Sequence, residues 1–156
     1  MTLPESVGGS FDRRLARRAA RGSFLLIAVW MAADWLALHV GLGPFAAALD
    51  LPFRFLCHRI PERVISVWDT PMPVCSRCAG IWLGLSISAA VAWPVLSLRV
   101  LRVVVPVAMA LMLGEIVTQD LGWHPVFHPT RLLSGLLLSV PFGGAVGAMI
   151  DRELAG

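Results

Sequence analysis

Four apolar stretches, Ser23 to Gly43, Ala79 to Leu98, Val103 to Gly122 and Leu132 to Ile150, constrain this chain more than any other feature. A helix crossing about 30 Å of hydrocarbon needs about 20 mostly apolar residues, and each stretch meets or approaches that length. With 57% apolar residues and 15% charged among 156, and a mean hydropathy of +0.75, the chain is too oily for an ordinary soluble domain and too short for two. The expectation is an all-α membrane protein: four transmembrane helices (23–43, 79–98, 103–122, 132–150) in a compact bundle forming one domain over 23–150. A basic leader, 1–22, precedes it and a short tail, 151–156, follows.

Residues 1–12 carry no periodicity and are expected to be disordered, whereas Arg13 to Arg21 holds five arginines suited to a helical turn on anionic headgroups. The first apolar stretch is long, contains Asp34 and lacks a small-x-small cleavage site, so it reads as an uncleaved anchor. All thirteen basic residues are arginine, and the net charge of +3 is concentrated in the leader rather than spread as a nucleic-acid stripe. No nucleic-acid partner is expected. Retention of positive charge on the inner side puts both termini in the cytoplasm and the protein in the cytoplasmic (inner) membrane as a multi-pass chain. Five arginines (Arg54, Arg59, Arg63, Arg77, Arg131) then lie outside against that rule, which points to a site they serve and leaves the opposite orientation open.

Gly41-Leu42-Gly43-Pro44 should end the first span, with Phe45 to Phe55 as an apolar shelf along the interface. The segment Leu56 to Val74 carries Pro61, Pro71 and Pro73 and reads as an irregular loop. Gly80, Gly84 and Ser88 form a small-residue ridge on the second span; Gly135, Ser139, Gly143 and Gly147 mark the fourth. Ridges of this kind serve close helix packing and also permit homo-oligomers.

The third span is unusual in holding Glu115, Thr118 and Gln119, with Glu115 roughly 10 Å below the helix end at 1.5 Å per residue. An ionisable group at that depth costs several kcal/mol unless paired or facing water, so it marks either a functional interior or a buried pair, with Arg131 the nearest partner in sequence terms. Asp34 in the first span has no sequence-local partner.

The loop carries Cys57-His58 and then Cys75-Ser76-Arg77-Cys78 directly before the second span. Zinc accepts thiolate and imidazole in a tetrahedron, and Cys75 with Cys78 can bite one face of it while Cys57 or His58 adds a ligand. His124 and His128 in the next outer loop are further donors, although each precedes a proline. The same cysteines also suit thiol redox chemistry, since a helix N-terminus and Arg77 activate thiolates, or a plain disulfide. Quinone-coupled disulfide-generating enzymes share the four-helix layout but relay electrons through a second cysteine pair, and here only Cys57 is left for that role.

The motifs Cys57-His58-x-x-Pro61-Glu62-Arg63 and Pro73-Val74-Cys75-x-Arg77-Cys78-x-Gly80-Ile81-x-x-Gly84, followed by Glu115-x-x-Thr118-Gln119 and Arg131-Leu132-x-Ser134-Gly135, resemble the signature of domain of unknown function 2085, a family of small membrane proteins. The resemblance covers roughly residues 50 to 145, with Glu115 where the family has Asp and Ser134 where it has Thr. It implies that these separated polar residues form one site. The candidate set is therefore Cys57, His58, Cys75 and Cys78 as ligands for zinc, with Glu115 as acid or base, Gln119 beside it and Arg131 as holder of an anion or carboxylate. Membrane lipids and a lipid-like or small hydrophobic substrate are the expected partners. A quinone-linked thiol oxidoreductase, or a non-enzymatic metal-binding, transport or sensing protein, are the alternatives.

Overall fold

The computed structural model describes residues 8–154, with side chains from residue 12 onward. The first seven residues of the leader and the last two of the tail, expected to be unstructured or short tail, lie outside the described residues. Helix α1 (Gly8–Gly22) is followed by α2 (Leu25–His39) and α3 (Gly43–Leu56). A short 3-10 turn leads into strands β1 (Val64–Val67) and β2 (Thr70–Cys75), and then α4 (Ser76–Val91), α5 (Leu98–Asp120) and α6 (His128–Glu153) complete the chain.

Helices α5 and α6 are long and apolar enough to cross a membrane, with mean hydropathies of 2.1 and 1.8 over their most apolar windows. A bend of 41° between α1 and α2 allows that pair to count as a third span. The second expected span is shorter than its apolar stretch. Helix α4 has 16 residues, about 24 Å at 1.5 Å per residue, because Ala92 turns into the left-handed region and Pro94 follows.

Helices α4 and α6 run parallel and in close contact, and glycine makes that possible. A Cβ on Gly80 would overlap the Leu132 carbonyl oxygen, and one on Gly135 would overlap the Arg77 carbonyl oxygen and reach the Ile81 nitrogen. Further along, Gly143 lies against Ser88 and Leu85, and Gly147 against Ala89. The two ridges seen in the sequence are thus one interface, of the small-residue kind membrane helices use. At the far end of this pair Arg21 donates to the Ala90 carbonyl at 2.9 Å and bridges Asp151 at 2.8 Å. The end of the basic leader helix, the end of α4 and the end of α6 therefore meet at one end of the molecule.

The expected apolar shelf is a helix, and much of the segment expected to be irregular is a hairpin. Residues 43–56 form a helix that opens with Pro44 and an alanine run and packs against α2, with Trp30 donating to the Leu49 carbonyl at 2.9 Å. Residues 64–75 form an antiparallel hairpin turning on Trp68 and Asp69, both at positive φ. Its two prolines are tolerated because neither strand has a second neighbour needing their N–H groups. A Trp-Asp turn replaces the usual Asn-Gly or Asp-Gly, which is why the turn was hard to read.

Candidate metal centre

Three local structures deliver the cysteines to one point. Cys57 caps the C-terminus of α3 in an extended conformation, Cys75 ends β2 and stands at the N-cap of α4, and Cys78 sits in the first turn of α4. Their three sulfur atoms lie within 4.8 Å of one another. All three are free thiols, and the Cys75 backbone N–H donates to the Cys57 sulfur at 3.2 Å. Met31, Phe53, Val74 and Ala79 pack around Cys57, so one side of the cluster is dry.

The other side is a cavity of about 370 Å³ lined by Cys57, Cys75 and Cys78 together with His58, Arg59, Arg63, Arg77 and Arg131. Hydrogen bonding from Cys57 and then Cys78 holds the Cys75 thiol far below its ordinary range, and the Arg131 charge acts in the same direction. The same hydrogen bonds push the Cys78 thiol up, so the cluster favours one thiolate at Cys75 sharing protons with its neighbours. His58 shares the cavity but is not among the donor atoms gathered within 4.8 Å.

The expected polar layer is present with its partners exchanged. Glu115 pairs with Arg77, not with Arg131, while Arg131 donates to the Gln119 side-chain oxygen. The exchange follows from the α4–α6 packing: Arg77 on α4 reaches Glu115, and Arg131, 1% exposed, is left facing a neutral amide. Four buried polar atoms of this layer have no hydrogen-bond partner among the described residues: Glu115 Oε1, Gln119 Nε2, Arg77 Nε and Arg131 Nε.

His124, in the turn after α5, and His128, the first residue of α6, stand apart from the cysteines. His124 Nε2 lies 3.0 Å from the Thr118 hydroxyl, and His128 has a buried, unpartnered Nδ1. Asp34 is fully buried, with both oxygens lacking a hydrogen-bond partner among the described residues.

Asp50 is the functional support the sequence reading passed over. It sits in the buried face of α3 and receives both Arg59 and Arg54, while Arg59 also donates to the Pro73 carbonyl at 2.6 Å. Asp50 thereby ties α3 to the loop and to β2 across the cysteine site. Its signal was the Asp50/Arg54 spacing of four on an apolar helix. Arg63 to Asp120, at 2.6 Å, is a second tie, from the loop to the end of α5.

Burial alone would raise the Asp50 carboxyl, but its bonds to Arg59 and Arg54 outweigh that and hold it below the usual carboxylate range. A depressed carboxylate contributes stability above its unfolded value and loses it as pH falls through the folded one. Thermal unfolding of the wild type in detergent is expected to weaken below about pH 4. Asp50→Asn should be the less stable protein at neutral pH, with the difference shrinking in acid. A pH-independent difference would refute the linkage.

A family model described as a predicted membrane protein, domain of unknown function 2085, matches residues 57–144. A 32-residue stretch is 59% identical to a protein of Methanothermobacter thermautotrophicus described as uncharacterized, covering 20% of this chain and 29% of that relative. The chain thus aligns with under a third of the relative's length. No solved structure matches the chain. Because the matched region covers more than half of the sequence and begins at Cys57, this protein belongs to the DUF2085 family of predicted membrane proteins.

Proposed function

We propose that this is an integral membrane protein of four crossings whose outer end holds one zinc ion on the thiolates of Cys57, Cys75 and Cys78, next to a polar chamber that receives a lipid-like molecule. The observation that carries the reading is the convergence of three free thiols from three separate segments within 4.8 Å, beside a cavity. Zinc fits this set because it takes thiolate and imidazole ligands in a tetrahedron, and three protein ligands leave a fourth position for His58, water or substrate. When bound, the ion would act as a Lewis acid toward a group in the cavity.

In this reading α2, entered from Arg21 at the end of α1, is one crossing, and α4, α5 and α6 are the other three. The clasp of Arg21 with Asp151 supports an even number, since it joins the leader to the end of α6. Positive charge on that end assigns it to the cytoplasm. Glu115 supplies the acid or base through its unpartnered oxygen, Gln119 orients Arg131, and Arg131 holds an anionic group. Arg77 holds Glu115 in place.

Elemental analysis of protein purified anaerobically without an affinity metal, with thiols counted before and after chelation, tests the centre. About one zinc per chain and thiols that react only after chelation are expected. Absence of metal, with two thiols locked until reduced, would replace this reading with a redox or structural disulfide.

Glu115→Gln separates the metal from the chamber beneath it. It should leave metal content unchanged while removing the partner of Arg77, both side chains being nearly buried at 11% and 14% exposure. Breaking such a pair costs about 3–5 kcal/mol, so a clear drop in melting temperature with full metal retention is the expected result. Loss of metal in this variant would show that the two layers are not separate.

A further inference from the structure

A second, different cavity lies beside the chamber at the cysteines. Between α2, α3 and α4 lies a groove of about 410 Å³ lined by Leu26, Trp30, Pro52, Phe53, Leu56 and Trp82, without a polar side-chain contribution other than the indole edges. Leu56 lines both this groove and the cysteine chamber. Each volume falls within the roughly 300–1,000 Å³ of ordinary ligand sites.

The two cavities differ sharply in charge. Arg59, Arg63, Arg77 and Arg131 line the chamber, and Arg54 stands behind Asp50. The carboxylates facing these five guanidiniums are Asp50, shared by Arg54 and Arg59, then Asp120 and Glu115. A divalent ion on three thiolates contributes one further negative charge and buried Asp34 lies near Arg59, so the charges nearly balance overall, but the chamber's own lining holds four guanidiniums and no carboxylate. Arg131 is the most buried of these, 1% exposed, with the Gln119 amide oxygen and the Cys75 sulfur as side-chain partners, and its Nε, like that of Arg77, has no hydrogen-bond partner among the described residues. A cavity walled by four guanidiniums with no carboxylate in its lining suits an anionic group.

We infer that the site binds an anionic amphiphile, with its acidic headgroup in the arginine and cysteine chamber and a hydrocarbon chain in the apolar groove, the two parts meeting at Leu56. This names the substrate class for the site proposed above and rests on that site, although the lipid selectivity is measured independently of metal. Charge complementarity selects an anionic occupant for the chamber, and the apolar lining selects a chain for the groove.

The test uses the full chain, delipidated in mild detergent and titrated with phosphatidylglycerol, phosphatidylcholine or inorganic phosphate, with bound lipid counted by native mass spectrometry. One phosphatidylglycerol per chain is expected to persist, with phosphatidylcholine weaker by roughly tenfold or more. Inorganic phosphate should not displace it at millimolar concentration. Leu56→Trp, which fills the passage from a half-exposed position, should weaken retention of phosphatidylglycerol by roughly tenfold while metal content stays at the wild-type level. Arg131→Lys should retain the lipid better than Arg131→Gln does.

Equal retention of the two lipids overturns the proposal, because the chamber then exerts no charge selection. Displacement by phosphate alone overturns the chain's part in it. An unaffected Leu56→Trp variant overturns the shared passage. Lipid selectivity in a protein that holds no zinc would leave this inference standing and defeat the metal reading, whereas zinc without lipid selectivity would do the reverse.

Discussion

Replacing Cys75 with serine is expected to empty the metal centre. Cys75 holds the middle of the cluster: its sulfur is close to both others, its N–H donates to the Cys57 sulfur, and it stands at the N-cap of the helix that carries Cys78. Serine keeps the shape but substitutes a hydroxyl that stays protonated at neutral pH and is a poor ligand. Structural zinc contributes about 10–16 kcal/mol, so losing one of three protein ligands should cost roughly 3–5 kcal/mol, or a factor of about 10² to 10⁴ in affinity. Metal per chain after extensive dialysis is the measurement, with Cys57→Ser and Cys78→Ser expected to behave alike. A triple serine variant that keeps its full metal content would end the proposal. His58→Ala resolves the fourth position, since His58 shares the cavity without joining the tight cluster.

A comparably large effect is expected from Gly135→Ala, and for a different reason. The added methyl would overlap the Arg77 carbonyl oxygen and crowd the Ile81 nitrogen, both backbone atoms that no rotamer change can move. Helices α4 and α6 would have to separate along the ridge. Overpacking of this kind costs about 1–3 kcal/mol and occasionally more. Because Cys78 lies between Arg77 and Ile81, the same displacement would loosen the metal site, so melting temperature and metal content should fall together. Gly114→Ala is the control: nothing lies within 4 Å of a Cβ there, and in a helix interior alanine is favoured by about 0.5–1 kcal/mol. If both variants behave alike, the close approach of α4 and α6 is not what holds the molecule together.

Sequence spacing foretold the cysteine convergence and the two glycine ridges, because both rest on residue types whose geometry is narrowly defined. Cys75 and Cys78 are one helical turn apart, and small residues four apart can only line one face. The pairing of Glu115 escaped, since the choice between Arg77 and Arg131 depends on how α4 is rotated against α5 and α6. The hairpin was hidden by prolines that are harmless on open edges and by an uncommon turn at Trp68-Asp69. Asp50 was hidden inside an apolar helix, where its role depends on Arg59 arriving from the loop. The length of α4 was obscured because its apolar run continues past the end of the helix at Val91.

The outer wall of α5 bears on how the protein sits among its neighbours, since only 6% of its apolar window is buried within the molecule. The rest is apolar surface that faces away from the molecule.

The parallel contact of α4 with α6 also sets an order in time. Cys57, Cys75 and Cys78 precede Arg131 in the chain, and 53 residues separate Cys78 from it. At about 5–20 residues per second, a ribosome needs roughly 3–10 s to supply them. During that interval the helix that closes the α4 ridge does not yet exist, and the three thiols stand without their Arg131 neighbour. A chain stopped before α6 therefore carries all three cysteines and the residues packed around Cys57, but lacks the one arginine that α6 adds to the chamber.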